Sequence, residues 1–336
     1  MVAMTVPGGE GEDKHCPGAA PTSSGQTPIT SVRPMSVSAT LLGNSLYADL
    51  DGPVHYLDFG GRENGPLIVC VHGLGGASWN WSALAPLLID EARVLAVDLA
   101  GHGRTPAAGR RTTVPANRRL LERFLREVAR EPVILMGNSM GGAISALTTG
   151  AAPELVRGLV LVDPALPRPP FSPIDARVAL SFALIALPGV GEAALARRRL
   201  RATPEEQVRQ TLALCCVDPS RVPADVMALG VELARERAKD RASGPDFLRA
   251  ARSLIKLLTR PQRLNEALDA IEAPVLLIHG DSDRLVPLRT STAVAAAHPA
   301  WQFEVAERVG HVPQLEVPEW TAGVVRMWMH ANALAG

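Results

Sequence analysis

From Val54 onward the chain repeats one pattern, a short run rich in Val, Ile and Leu followed by a stretch with helical spacing. The runs are Val54 to Phe59, Leu67 to Val71, Val94 to Val97, Val133 to Met136, Leu159 to Val162, Val275 to Ile278 and Phe303 to Val305. Strands that read as continuous apolar runs, not as alternating ones, are buried on both faces, which requires helices on both sides of a mostly parallel sheet. The pattern therefore predicts an α/β architecture. Leu120, Leu121, Phe124, Leu125 and Val128 form an i, i+1, i+4, i+5, i+8 stripe and predict one of the covering helices.

The rhythm breaks once. Between about Pro164 and Pro261 the residues carry helical patterns and many arginines but no strand, and the βα rhythm resumes at Ala273-Pro274-Val275. The expected organisation is a core of residues 37–163 and 262–336 with a helical cap, 164–261, inserted into it. Residues 1–36, rich in Gly, Pro, Ser and Thr, show neither period and are expected to form a disordered tail.

Composition narrows the function classes. With 47% hydrophobic and 20% charged residues, the 336-residue chain can bury a large core. Its 34 basic and 34 acidic residues cancel, so no overall field favours a polyanion and a nucleic-acid partner is not expected. Cys16, Cys70, Cys215 and Cys216 form neither a disulfide framework nor a zinc pattern, which suits a reducing cytoplasm. The longest apolar candidate, residues 178–191, is shorter than the ~20 residues of a membrane span and is interrupted by Pro188 and Gly189. The N-terminus lacks a basic region followed by an apolar one, so no secretory signal is expected.

The chemistry concentrates at Val133-Ile134-Leu135-Met136-Gly137-Asn138-Ser139-Met140-Gly141-Gly142, an apolar strand running into G-x-S-x-G and then a helical pattern. In that context the motif is a nucleophile elbow: the chain reverses within a few residues, side chains at Gly137 or Gly141 would crowd the turn, and Ser139 is thrown out at the carboxyl end of the sheet. A serine hydroxyl needs a base, itself oriented by an acid. Downstream lie His279-Gly280-Asp281-Ser282-Asp283 after a strand and Gly310-His311-Val312-Pro313 after the last strand.

The order Ser139, Asp283, His311, with these motifs, resembles the α/β-hydrolase superfamily over about residues 46–333. The resemblance implies an α/β-hydrolase fold, a mostly parallel sheet flanked by helices with an inserted helical cap, and a Ser-His-Asp triad. Asp283 fits the H-G-x-x-D pattern, with Asp281 as a loop-shaping neighbour and Asp163, at the end of the strand before the cap, as a rival acid. His311 arrives opposite the elbow. His72, His102 and His279 lie near strand ends as structural histidines, while His15, His298 and His330 are solvated. The Met140 amide, directly after the nucleophile, is expected to serve the oxyanion hole, and the resemblance assigns Leu74, after His72-Gly73, as the second donor. Asp98 to Thr105 resembles the loop that braces the active face in this superfamily.

These residues point to a serine hydrolase that cleaves a small-molecule carboxylic ester through an acyl-enzyme, with neither metal nor organic cofactor. A serine at the elbow excludes the usual epoxide-hydrolase and haloalkane-dehalogenase chemistry. Gly137-Asn138-Ser139-Met140-Gly141-Gly142 also resembles elbows of meta-cleavage-product hydrolases, which cut carbon–carbon bonds; Val312 and Pro313 after His311, where those enzymes usually carry Trp, argue against that reading. A slow ligand-binding receptor on the same scaffold is a further alternative. No Walker pattern or complete G-x-G-x-x-G follows a strand near Gly75 and Gly76, so nucleotide binding is not expected. The apolar run with Phe182 and Leu184 is either buried packing or a wall of an acyl pocket, and these two are the candidate substrate-binding residues. Arg197-Arg198-Arg199 and Arg235-Glu236-Arg237 are expected to be solvated helix faces. Oligomeric state is not legible in these motifs.

Overall fold

The computed structural model describes residues 43–169, 175–240 and 242–335; the tail expected over 1–36 lies outside them. Eight strands form one sheet: β1 (Asn44–Asp49), β2 (Pro53–Gly61), β3 (Leu67–Val71), β4 (Arg93–Val97), β5 (Val133–Asn138), β6 (Val156–Val162), β7 (Val275–Gly280) and β8 (Gln302–Ala306). Their spatial order is β1-β2-β4-β3-β5-β6-β7-β8. Every pairing from β4 to β8 is parallel, and β3, β5 and β7 are buried at every position, as strands with helices on both faces must be.

The first two strands depart from that pattern. β1 pairs with β2 and β2 with β4 in antiparallel fashion, although Val54 to Phe59 reads as one more parallel run. A tight turn through Asp51 and Gly52, both at positive φ, makes a hairpin the only short connection. β1 has no continuous apolar run because it lies at the sheet edge, its side chains only half-buried or exposed.

On one face β3, β5, β6 and β7 contribute Val69, Leu135, Leu161 and Leu277, packed with Leu121 and Phe124 of α1 (Val114–Phe124), Ala143 and Ile144 of α2 (Met140–Ala151) and Leu264 of the helix Gln262–Asp269. On the other face Ile68, Ile134, Val160 and Ile278 meet Trp81, Trp328 and Met329. Alternate residues of a strand point to opposite faces, so each strand feeds both cores. Truncating Phe124 or Trp328, both fully buried, to Ala would cost about 3–5 kcal/mol.

Between β6 and β7 the chain inserts α3 (Ala176–Ala186), α4 (Val190–Arg201), α5 (Pro204–Cys215), α6 (Ala224–Ala238) and α7 (Ser243–Thr259), followed by α8 (Gln262–Asp269) against the sheet side. The core ends with α9 (Leu288–Ala297), α10 (Pro313–Glu316) and α11 (Pro318–Ala331). A small apolar cluster joins insertion to core: Leu212 of α5 and Val226 of α6 pack with Ala83, Val312 and Leu315. Arg237 of α6 adds two hydrogen bonds, to the Gly101 and Gly103 carbonyls at 2.8 and 3.0 Å. The insertion is thereby seated over the carboxyl ends of the strands.

Candidate active site

Between β5 and α2 the chain turns at Ser139, whose φ of 54° and ψ of −118° lie in a region that L residues rarely occupy. Such strain costs of order 1–3 kcal/mol and persists only where neighbours enforce it. Here the Ser139 amide donates to the Val162 carbonyl at 3.1 Å, while its own carbonyl accepts from Ala143 and Ala165 at 3.1 and 2.9 Å. Sterics demand Gly141: a Cβ there would lie 2.2 Å from the Val71 oxygen and 2.5 Å from that of His72. The Asn138 side chain donates to the carbonyls of Val162 and His311 at 3.1 and 3.0 Å, tying the elbow to the histidine loop.

Two acids lie beside that loop and differ in charge state. His311 Nδ1 is 2.6 Å from Asp283 Oδ2, and Asp283 Oδ1 accepts from the Leu285 and Val286 amides at 2.7 and 3.1 Å. Burial opposes ionisation of Asp283, but the close His311 ring, the neighbouring His279 and the Val286 amide outweigh it and hold the carboxyl below its ordinary range. Asp163, at the end of β6, shifts the other way: burial first, and then the Asp283 charge, push its carboxyl well above the ordinary value. Its Oδ1 accepts from the Gly280 amide at 3.0 Å, whereas Oδ2 is buried and makes no hydrogen bond as a carboxylate. Carrying a proton, Oδ2 becomes a donor toward Asp283. The two adjacent buried carboxyls are thus shifted in opposite directions, ionisation being favoured on the member that faces His311.

Asp163, Asp283 and His311 each offer one ligand atom within 4.8 Å of the others, a grouping a cation could use. The 2.6 Å contact already commits His311 Nδ1 and Asp283 Oδ2 to each other, and burial disfavours a charge on Asp163, so the donor set fits a hydrogen-bonded pair better than a metal. Asp281 stays outside the group, its Oδ1 accepting from the Arg308 amide and the Ser282 hydroxyl.

The candidate oxyanion loop abuts the elbow, since a Cβ at Gly73 would lie 3.0 Å from that of Ser139. His72 fixes the loop: Nδ1 donates to the Gly73 carbonyl at 2.7 Å and Nε2 accepts from the Leu99 amide at 3.1 Å, a pattern only the neutral ring can make. Leu74 is half-buried on the core, and Met140, fully buried, is the first residue of α2, whose amide has no acceptor within the helix. Phe247 of α7 touches the loop, a Cβ at Gly75 meeting its ring edge at 3.0 Å. On α3, which packs against α4 and α7, Phe182 is half-buried and Leu184 is 37% exposed.

Several residues that shape this site are not marked by any sequence motif used above. The His311 amide donates to the Cys215 carbonyl at the end of α5 at 2.6 Å, a closeness that leaves room for Gly310 alone, because a Cβ there would lie 2.1 Å from the same oxygen. Glu316, fully buried, accepts from the Gly310 amide at 2.9 Å and from the Val217 and Asp218 amides at 3.0 and 2.9 Å. Arg284, next to Asp283, donates to the Ala213 and Cys216 carbonyls. A carboxylate flanked by Leu315 and Val317 was the one signal available.

Other histidines have structural partners. His279 donates from Nε2 to the Val286 carbonyl at 3.0 Å and accepts from the Ser291 hydroxyl at 2.8 Å. His102 sits buried with Nδ1 3.2 Å from the Ala100 carbonyl and Nε2 unpartnered, and burial pushes its pKa down to about 3. His55, on β2, lies 2.6 Å from Asp98 and 2.8 Å from the Ser45 hydroxyl. Asp98 also accepts from the Ser78 and Arg104 amides at 2.6 and 2.8 Å; burial resists its ionisation, but His55 and His72 prevail and hold it down to about 2. Ser45 is paired within the β1–β2 ladder opposite Leu57, far from the strand-to-helix geometry of Ser139, so His55 and Asp98 brace the loop after β4.

Residues 68–324 match the alpha/beta hydrolase family, and the chain belongs to it. It is 30% identical over 259 residues to a pimeloyl-[acyl-carrier protein] methyl ester esterase of Aromatoleum aromaticum, covering 76% of this chain and 95% of that one. It is 28% identical over 279 residues to a 2-hydroxy-6-oxononadienedioate/2-hydroxy-6-oxononatrienedioate hydrolase of Cupriavidus pinatubonensis, covering 80% of this chain and 87% of the relative. Among solved structures, the haloalkane dehalogenase DbeA from Bradyrhizobium elkani superposes with a TM-score of 0.71 at 22% identity, covering 85% of this chain and 97% of that one, a likeness of fold alone.

Proposed function

We propose that the chain is a carboxylic-ester hydrolase working through an acyl-enzyme on Ser139. The observation that carries this reading is the strained Ser139 at the start of α2, tied through Asn138 to a histidine whose far nitrogen is 2.6 Å from an ionised, buried aspartate. Ser139 Oγ attacks the ester carbonyl while His311 Nε2 takes its proton, and Asp283 fixes the imidazole tautomer and stabilises the imidazolium. The Leu74 and Met140 amides donate to the tetrahedral oxyanion, a contribution of about 3–4 kcal/mol per donor in comparable sites. His311 then protonates the departing alcohol, and water deprotonated by His311 releases the acid. Phe182 and Leu184, with Phe247, supply an apolar wall for the acyl group. Against the carbon–carbon reading stand Val312 and Pro313 directly after His311, while the 28% identical relative from Cupriavidus pinatubonensis keeps it as the alternative. Three thiols without disulfide partners, Cys70, Cys215 and Cys216, support a reducing cytoplasmic setting.

The test is hydrolysis of p-nitrophenyl esters of graded chain length by the wild type and by Ser139→Ala. We expect turnover by the wild type and a loss of about 10⁴-fold or more in kcat for the variant, with unchanged thermal unfolding. Wild-type activity on dienoate substrates but on no ester would replace this reading with carbon–carbon cleavage.

A further inference from the structure

The turn between α3 and α4 leaves apolar side chains in solvent: Leu180 is 60% exposed, Leu187 53%, Val190 42% and Leu200, on α4, 88%. Scattered exposed leucines need no explanation, but this many on one helical hairpin do. The two helices are together apolar enough for a bilayer, yet they are bent by 118° at Pro188-Gly189, so they cannot cross one as a single rod. Charge then selects what such a surface can meet. Residues 176–201 hold five arginines and a single acid, Glu192, in a chain whose net charge is zero. Glu192 is occupied by Arg252, which reaches its two oxygens at 2.8 and 2.9 Å. Arg198 turns back onto the Gln207 carbonyl and Thr211, while Arg197 and Arg201 stay exposed.

We propose that the α3–α4 hairpin docks on an anionic lipid surface, Leu187 and Val190 entering the acyl boundary and Arg197 and Arg201 meeting the headgroups. The spacing suits this arrangement. With α4 inclined to the surface, the about 10 Å that its axis advances from Val190 to Arg197 lets the apolar turn enter while the arginines stay at headgroup level. The inference does not depend on the ester chemistry, because the surface lies on the outside of the insertion and its test reads binding alone.

The experiment is co-sedimentation of the full chain with vesicles of phosphatidylcholine alone and of phosphatidylcholine with a third phosphatidylglycerol, alongside sedimentation velocity without lipid. Wild type is expected on the anionic vesicles, with affinity falling as salt rises. The double variant Arg197→Gln/Arg201→Gln should lose about 30-fold on those vesicles, at roughly fivefold per arginine. Leu187→Asp should abolish binding to the anionic vesicles while leaving ester turnover unchanged. Absence of wild-type binding, or binding indifferent to Leu187→Asp, overturns the proposal. So does a dimer in the absence of lipid that Leu187→Asp dissolves, which would assign the face to a second copy.

Discussion

At the scale of single residues the site turns on which of two carboxyls holds the charge. Asp283→Asn should lower kcat by about 10³–10⁴-fold, because the amide cannot stabilise the imidazolium and favours the wrong ring tautomer. Asp163→Asn should cost less than about tenfold: an amide NH₂ can donate toward Asp283 as the protonated carboxyl does, and its oxygen can still accept from the Gly280 amide. Parallel kcat measurements on the two variants decide the matter, and a larger loss for Asp163→Asn would move the acid to the end of β6. Both candidates were visible in the sequence because each ends an apolar run, and H-G-x-x-D marked Asp283. Their opposite shifts were not visible, since these depend on β6 and β7 lying side by side, a pairing between residues more than a hundred positions apart.

At the scale of elements, the parallel strands were legible because double-sided burial writes itself as uninterrupted Val, Ile and Leu, whereas β1 was not, because an edge strand needs no such run. The stripe from Leu120 to Val128 was right about a helix but could not foresee its widened last turn, Leu125–Ala129, which ends at Arg130 with φ of 61°. Least legible was the stitching of α5 to the histidine loop, since Glu316 works through backbone amides that no residue pattern advertises. Glu316→Gln would leave one acceptor oxygen for three converging amides, at a cost of about 1–3 kcal/mol for the donors left unpaired. The expected outcome is a lower unfolding temperature together with a fall in kcat larger than any rise in KM, because Gly310 and His311 lose their anchor. An unchanged unfolding temperature would show that these amides find other partners.

For the whole molecule, buried neutral histidines set how stability answers to pH. His102 is held near pKa 3 by burial, with the Arg237 charge adding to the effect, so between about pH 6.5 and 3 it is neutral when folded and protonated when unfolded. The unfolded chain binds the extra proton there, and stability falls by about 1.4 kcal/mol for each pH unit below 6.5 from this residue alone. His72 and His279, also lowered chiefly by burial, act in the same direction. Asp163 and Asp246, both raised chiefly by burial, oppose them, since a raised folded pKa favours the folded state as pH falls toward 3.8, but they are two groups against three. Asp98 and Asp283, with depressed values, withdraw their contribution only below the ordinary carboxylate range. Acid destabilisation should therefore begin near pH 6.5 and not near 4. Urea unfolding at pH 7.5, 6 and 5 checks this, with midpoints expected to fall steadily across the series. His102→Gln should flatten the slope by close to one proton, and an identical slope in that variant would show that the ring at position 102 is already charged in the folded protein.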